Sequence, residues 1–313
     1  MDTLPLIDKR LHVVAVISNP VPYIKRYFLF RQFMERMEKD KNVILYVVEL
    51  AYQQQDFIIT SQTNPRHLQL RTETPLWHKE NMINLAVSKL LPSDYNAFAW
   101  IDGDVEFENH NWALDALESL SGSNDVIQLF SHCIDLDQCN RTSSIVSSAG
   151  YQYGKGNRMY STNNALDYWH PGYAWAITRN AYEKIGGLFD KAIIGSGDTI
   201  ILSSILEISD KIVDDKYNNA YKKAVSDYAT KIKGTSAIRF GYIPGLIRHY
   251  FHGSKKNRKY TERRQILFKH GYEPSFVGYD ENGVLIPTSL FPDDLKTDIM
   301  NYFLERNEDE YFC

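Results

Sequence analysis

Cysteine is scarce in this chain: Cys133, Cys139 and Cys313 are the only three in 313 residues. The number is odd and the spacing suits no metal site, which argues against a disulfide framework or a thiolate zinc centre. Reduced thiols in a cytoplasm are the expectation. Long apolar runs are also missing, and no stretch approaches the roughly 18 residues of a membrane span. The opening residues mix acids and bases around a short apolar run, unlike a secretory leader. Neither sign of charge dominates, since 35 Lys and Arg stand against 39 Asp and Glu. A net charge of −4 gives no global attraction to nucleic acid or to an anionic membrane. No internal repeat or low-complexity tract interrupts the chain.

What is present suits a large packed core: 43% of residues are hydrophobic and 24% charged. The length allows one large α/β domain or two smaller ones. His12–Ser18 reads as a strand, Tyr27–Lys39 as a helix with an inner stripe of Phe30, Phe33, Met34 and Met37, and Asn42–Glu49 as a second strand. That order implies a parallel crossover. Two prolines fix the loop Asn19-Pro20-Val21-Pro22-Tyr23, leaving Asn19 and Tyr23 at the mouth of the sheet. A short strand at Leu68–Arg71 precedes a buried helix, Met82–Leu91. Lys79 and Asn81 stand near that helix start, where anions are favoured.

Ala97–Ile101 is an uncharged run that reads as a strand buried on both faces, and it ends in Asp102-Gly103-Asp104. In an extended segment, residues two apart project to one side, so the two carboxylates can converge. Gly103 lets the chain turn and a ligand approach the backbone. Adjacent carboxylates repel unless a cation intervenes, and a hard divalent ion completed by phosphate oxygens is the natural occupant. Further along, Trp112–Leu120 reads as a helix, Asp125–Phe130 as a strand and the polar stretch 131–165 as a long loop. A strand over Tyr168–Ile177 and a helix over Arg179–Ile185 follow, the helix stopping at Gly186-Gly187. Gly195-Ser196-Gly197-Asp198 opens an apolar helix, Thr199–Ile208, with Asp198 either held in place for chemistry or serving as its N-cap. Residues 209–233 read as one charged helix, and 241–253 as a late strand carrying His249 and His252. The basic run Lys255, Lys256 and Arg258 comes next, localised in an acidic protein, and suits a phosphate group.

Taken together and in order, these motifs resemble the GT-A glycosyltransferases, the galactosyltransferase-like members among them, over roughly residues 13–268. The resemblance implies a single α/β domain of GT-A type with a mostly parallel central sheet flanked by helices. It implies a nucleotide-sugar-binding half over about 10–130 and an acceptor and metal-closing half over about 131–270, with 209–233 a helical insert and 271–313 a tail. It implies transfer of a sugar from a nucleotide diphosphate sugar, a UDP-sugar foremost, to a hydroxyl of a glycan or other acceptor, a modified nucleic acid included. Mn2+ or Mg2+ is the implied cofactor. Asp102 and Asp104 look like the Asp-x-Asp metal motif, with Asp104 the direct ligand and Asp102 toward the ribose or a metal-bound water. His252 looks like a late third ligand. Strand alternation would put His249, the alternative, on the opposite face. Asp198 resembles the acceptor-side base of inverting members, although Thr199 stands where many have a second acid. Asn19, Tyr23, Lys79, Asn81, Gly103, Lys255, Lys256 and Arg258 are expected around the donor. Gly172, Tyr173, Trp175 and Gly197 are expected around the sugar and acceptor, the two aromatics offering flat faces. A nucleotidyltransferase is the rival enzyme, but Ser18–Pro22 lacks the glycine-rich basic loop it would use. A non-catalytic carbohydrate-binding protein would need neither the acid pair nor Asp198.

Overall fold

The structure, a computed structural model, describes residues 10–157, 165–234 and 237–310. The first nine residues, Cys313 and part of the 131–165 stretch, each the subject of an expectation above, lie outside them.

Strand β1 (Leu11–Ser18) is buried on both faces because its apolar residues do not alternate with polar ones. Val13, Ala15 and Ile17 pack on Phe30, Phe33 and Met37 of helix α1 (Ile24–Lys39). Val14 faces the other way, onto Met82, Ile83 and Ala86 of α2 (Lys79–Lys89). Between these helices β2 (Val43–Tyr52) lies parallel to β1, and β3 (His67–Thr72) parallel to β2. β4 (Ala97–Ile101) flanks β1 on its other side, wholly buried as an uncharged run requires. β5 (Val105–Phe107) leaves this sheet, α3 (Trp112–Gly122) packs on the α1 side, and β6 (Val126–Gln128) returns to it.

The middle of the chain corrects three expectations. The presumed loop 131–165 contains β7 (His132–Leu136), β8 (Thr142–Ser147) and α4 (Ala149–Gly154). Some of its polar residues serve internal bonds: Ser144 donates to Asp135 (2.9 Å), and Gln152 to Ser147 (2.6 Å). The strand expected from Tyr168 begins later, as β9 (Ala174–Thr178), and runs antiparallel to both β4 and β6. After α5 (Arg179–Ile185), closed by left-handed Gly186, and α6 (Gly197–Ile205), the charged stretch is not one helix. A single 3-10 turn, Ser209–Lys211, is followed by α7 (Asn219–Lys233), started afresh where Asn218 accepts the Ala220 N–H.

The late strand is likewise two, β10 (Phe240–Tyr242) and β11 (Leu246–His249), with Pro244 and Gly245 between them. The main sheet has the order β10-β6-β9-β4-β1-β2-β3, with only β9 reversed. β11 joins a second sheet, β5-β11-β7-β8. The C-terminal part adds α8 (Arg264–Lys269), the hairpin β12 (Val277–Tyr279) and β13 (Leu285–Pro287), and α9 (Asp293–Glu305). These pack around Leu267, Tyr272, Leu295 and Tyr302. The architecture is α/β, a large central sheet flanked by helices. Among the described residues no helix is long and apolar enough to cross a membrane.

Candidate functional site

β4 ends in a turn, the Val105 N–H donating to the Asp102 carbonyl at 3.3 Å. The chain turns here, yet Asp102 and Asp104 line one cavity, and after burial the charge of Asp104 helps to raise the Asp102 carboxyl. Asp102 forms an ion pair with Lys79 and stands outside the cluster that Asp104 enters. Burial pulls the Lys79 ammonium toward neutrality, and Asp102, Glu80 and Asp198 together more than reverse it. Gly103 serves packing at the cavity wall: a Cβ there would lie 2.2 Å from a Phe30 ring carbon, so the absent side chain admits α1.

Asp104 meets both histidines. Its Oδ2 lies 2.7 Å from His252 Nε2, and its Oδ1, 3.8 Å from His249 Nε2, is buried with no hydrogen-bond partner. Alternation does not separate the histidines because His252 lies beyond the end of β11, where the chain has left the strand. Each Nδ1 is held by a second, nearly inaccessible carboxylate: His249 by Asp135 at 2.9 Å and His252 by Glu308 at 3.1 Å. The Nδ1 sides are taken up by these two acids, which leaves each Nε2, turned toward Asp104, as the ring atom that could bind a cation. Burial pulls the His249 imidazole below its usual value, against Asp104 and Asp135, which favour its charge. Two imidazole Nε2 atoms and a carboxylate with one oxygen unsatisfied make a donor set that fits a divalent cation.

The two supporting acids are themselves anchored. Asp135 also takes Lys255 (2.5 Å) and the Tyr173 hydroxyl (3.1 Å), and Glu308 takes Arg26 (3.0 Å) and Arg306 (2.5 Å). Burial opposes their ionisation, but these cations and the histidines hold both carboxyls well below the usual range. Neither acid was found from sequence. Asp135 lay in the presumed loop, where the alternation of His132 to Leu136 was the available signal; Glu308 lay in the tail, where there was none.

The cluster opens onto a cavity of about 450 Å³ lined by Asn19, Tyr23, Lys79, Asp198, Lys255 and Arg258, with Gly103, Gly172 and Tyr173 also at its wall. Asn19 donates to the Tyr23 carbonyl, and its Oδ1 is buried without a partner. Tyr23 donates to the Leu304 carbonyl (2.8 Å), which ties the mouth loop to α9. Asp198 lies in the first turn of α6, whose N-cap is Ser196, so it is not the cap. Gly195 and Ser196 take φ of 91° and 78°, a strained path for Ser196 that sets Asp198 against the backbone of Gly172. Nearby His170 accepts the Gly172 N–H at Nδ1, and burial lowers its pKa to about 4, so it is neutral.

Five of the expected donor and acceptor residues are engaged by the protein itself or by solvent. Trp175 is 1% exposed, stacked in the core on Trp100 and Phe240, and offers no face to a sugar. Tyr173 reaches the wall but stacks on His170 at 4.1 Å. Asn81 bonds Gly283 and Leu285, fastening the β12–β13 connection rather than a donor. Lys256 points to solvent outside the cavity lining. Gly197 is there for Glu80, whose carboxyl a Cβ would meet at 2.5 Å.

Glu80 carries a prediction. Burial raises its pKa to about 8, with Lys79 opposing and Asp198 assisting. The folded state thus binds a proton that the unfolded chain releases near 4.5. The stability this contributes is complete below about 4.5 and is lost as pH rises through about 8. Glu80→Gln is expected to flatten the decline. Thermal unfolding of both proteins from pH 5 to 8 measures it, and parallel curves contradict it.

No protein-family model and no curated protein sequence matches the chain. Solved structures do resemble it. A mutant Drosophila β-1,4-galactosyltransferase 7 in complex with manganese, UDP-Gal and xylobiose matches at 12% identity and a TM-score of 0.36, over 64% of this chain and 62% of that one. The Pyrobaculum calidifontis mannosyltransferase, in complex with GDP-Man and Mn2+, matches at 13% and 0.42, over 83% of this chain and 62% of its own. The 4-diphosphocytidyl-2C-methyl-D-erythritol synthase of Anaerococcus prevotii matches at 8% and 0.31, over 95% and 98%. The chain thus spans about three-fifths of the first two, and at these scores the likeness assigns no family.

Proposed function

We propose that the chain is a metal-dependent glycosyltransferase that moves a sugar from a nucleotide diphosphate sugar, a UDP-sugar foremost, to a hydroxyl acceptor. The observation that carries this reading is the Asp104–His249–His252 cluster with its unsatisfied carboxylate oxygen at the edge of a large cavity. Those three residues would hold the cation, with Asp135 and Glu308 orienting the imidazoles. A bound divalent cation supplies Lewis-acid stabilisation of a leaving diphosphate. Arg258 and Lys255 bring fixed positive charge to the same end, which lowers the cost of the charge that develops there. Asn19 Oδ1 offers an unused acceptor for a ribose hydroxyl or base N–H.

Asp198 stands across the cavity as the acceptor-side base. It takes the proton from the incoming hydroxyl, whose oxygen then attacks the sugar from the face opposite the leaving group, with inversion. Neutral His170 beside it presents an Nε2–H for a substrate oxygen.

A screen of nucleotide sugars, reading released nucleoside diphosphate, tests the reaction. Activity is expected to vanish in EDTA and to return with Mn2+ at lower concentration than with Mg2+, because imidazoles suit the softer ion and Mg2+ gives up water reluctantly. Full turnover in excess chelator removes the metal from the reading.

A further inference from the structure

Most cations of the cavity already have a carboxylate: Lys79 has Asp102, Lys255 has Asp135, and Arg26 and Arg306 share Glu308. Arg258, Arg263 and Arg264 line the same cavity and form no ion pair among the described residues. Arg258 sits in the field of Asp104 and Glu308, at the metal end. Arg263 shares the Tyr302 hydroxyl and the Trp77 ring with Arg306 and extends from that end toward Ser196. Arg263 is 7% exposed, and its Nη atoms reach only neutral hydroxyls, Tyr302 at 3.1 Å and Ser196 at 3.2 Å. Its Nε and that of Arg264 are buried without partners. The Arg263 guanidinium lies over the rings of Trp77 (5.5 Å) and Tyr260 (5.4 Å), which offsets only part of the cost of an unpaired buried charge.

The position is informative. Ser196 is two residues before Asp198, and Tyr168 at the cavity wall lies near both Asp198 and Arg264. Unpaired charge thus reaches toward the proposed base, from Arg263 by way of Ser196 and from Arg264 by way of Tyr168, whereas the donor's diphosphate already has the cation and Arg258. We infer that the acceptor carries a phosphate ester, which Arg263 and Arg264 hold so that a neighbouring hydroxyl reaches Asp198. The planar guanidinium forks match phosphate oxygens, and half-exposed Tyr168 and Tyr260 flank the entrance as stacking faces for the rest of the acceptor. This rests on the glycosyltransferase reading.

The test uses the full chain with Mn2+ and saturating UDP, titrated calorimetrically with glucose 6-phosphate, with a short thymidine oligonucleotide and with glucose as the neutral counterpart. At least one phosphate-bearing probe is expected to bind about tenfold or more tightly than glucose, the worth of a charge-assisted pair. The two probes separate a phosphomonoester from a phosphodiester chain. Arg264→Gln, and Arg263→Gln where it folds, are expected to erase that preference, Arg264→Lys to restore part of it, and Arg258→Gln to leave it while weakening UDP. Equal binding of the phosphate-bearing and neutral probes, or a preference untouched in Arg264→Gln, overturns the inference. Absence of UDP binding with Mn2+ defeats the glycosyltransferase reading instead. The arginine preference is then read without nucleotide, and its loss in Arg264→Gln but not in Arg258→Gln upholds the anion site by itself.

Discussion

Asp104→Asn is expected to weaken Mn2+ binding by about 100-fold or more, above the roughly 10- to 100-fold that loss of a supporting partner costs. Asp104 is the one carboxylate that both histidines face, and its Oδ1 has no other partner. An asparagine keeps the shape, and its amide can donate to His252 Nε2, so the fold should persist without the charge that a cation needs. Direct titration of Mn2+ into the protein reads this without any assay of turnover. Glu308→Gln and Asp135→Asn serve as graded controls: each leaves a donor set intact but loosens one imidazole, and each should cost less than Asp104→Asn. If Asp104→Asn binds Mn2+ as well as the parent does, the cluster is a buried hydrogen-bond network and the metal lies elsewhere.

Asp198→Asn should lower sugar transfer by roughly 10²- to 10⁴-fold, the usual worth of a positioned base. The side chain sits in the first turn of α6 with Oδ1 accepting the Thr199 N–H at 2.7 Å. An asparagine oxygen can keep that bond, so the turn should hold while the ability to take a proton is lost. Binding of UDP with Mn2+ is expected to stay within about twofold, since the residue faces Gly172 rather than the metal cluster. Weak nucleotide binding with near-normal turnover at saturation would move Asp198 to the donor side. Unchanged transfer would leave it a helix-terminus residue.

The local content of the fold was legible because it depends on near neighbours in the chain. Apolar runs gave β1, β2 and β4 as strands, the last of them buried on both faces, and Gly186 stopped α5 where a left-handed residue was needed. Polarity misled where polar residues bond one another inside the protein, as Asp135, Ser144 and Ser147 do in β7 and β8. The individual residues Asp104, His249, His252 and Asp198 could be proposed from type, setting and the resemblance. What joins them could not. Asp104 meets its histidines across about 145 residues because β11 leaves the main sheet and pairs with β5, which starts at Val105. Glu308 arrives only when α9 docks beside the mouth loop through Tyr23. Asp102 and Asp104 line one cavity but, across a single turn, take different partners, Lys79 for the first and the two histidines for the second. Sequence by itself determined which residue types suited to metal, acid–base and anion chemistry are present and which runs become core. Only the tertiary structure decided which of them share a cavity and which are spent on packing, because those pairings depend on strand order and on contacts between residues far apart in the chain.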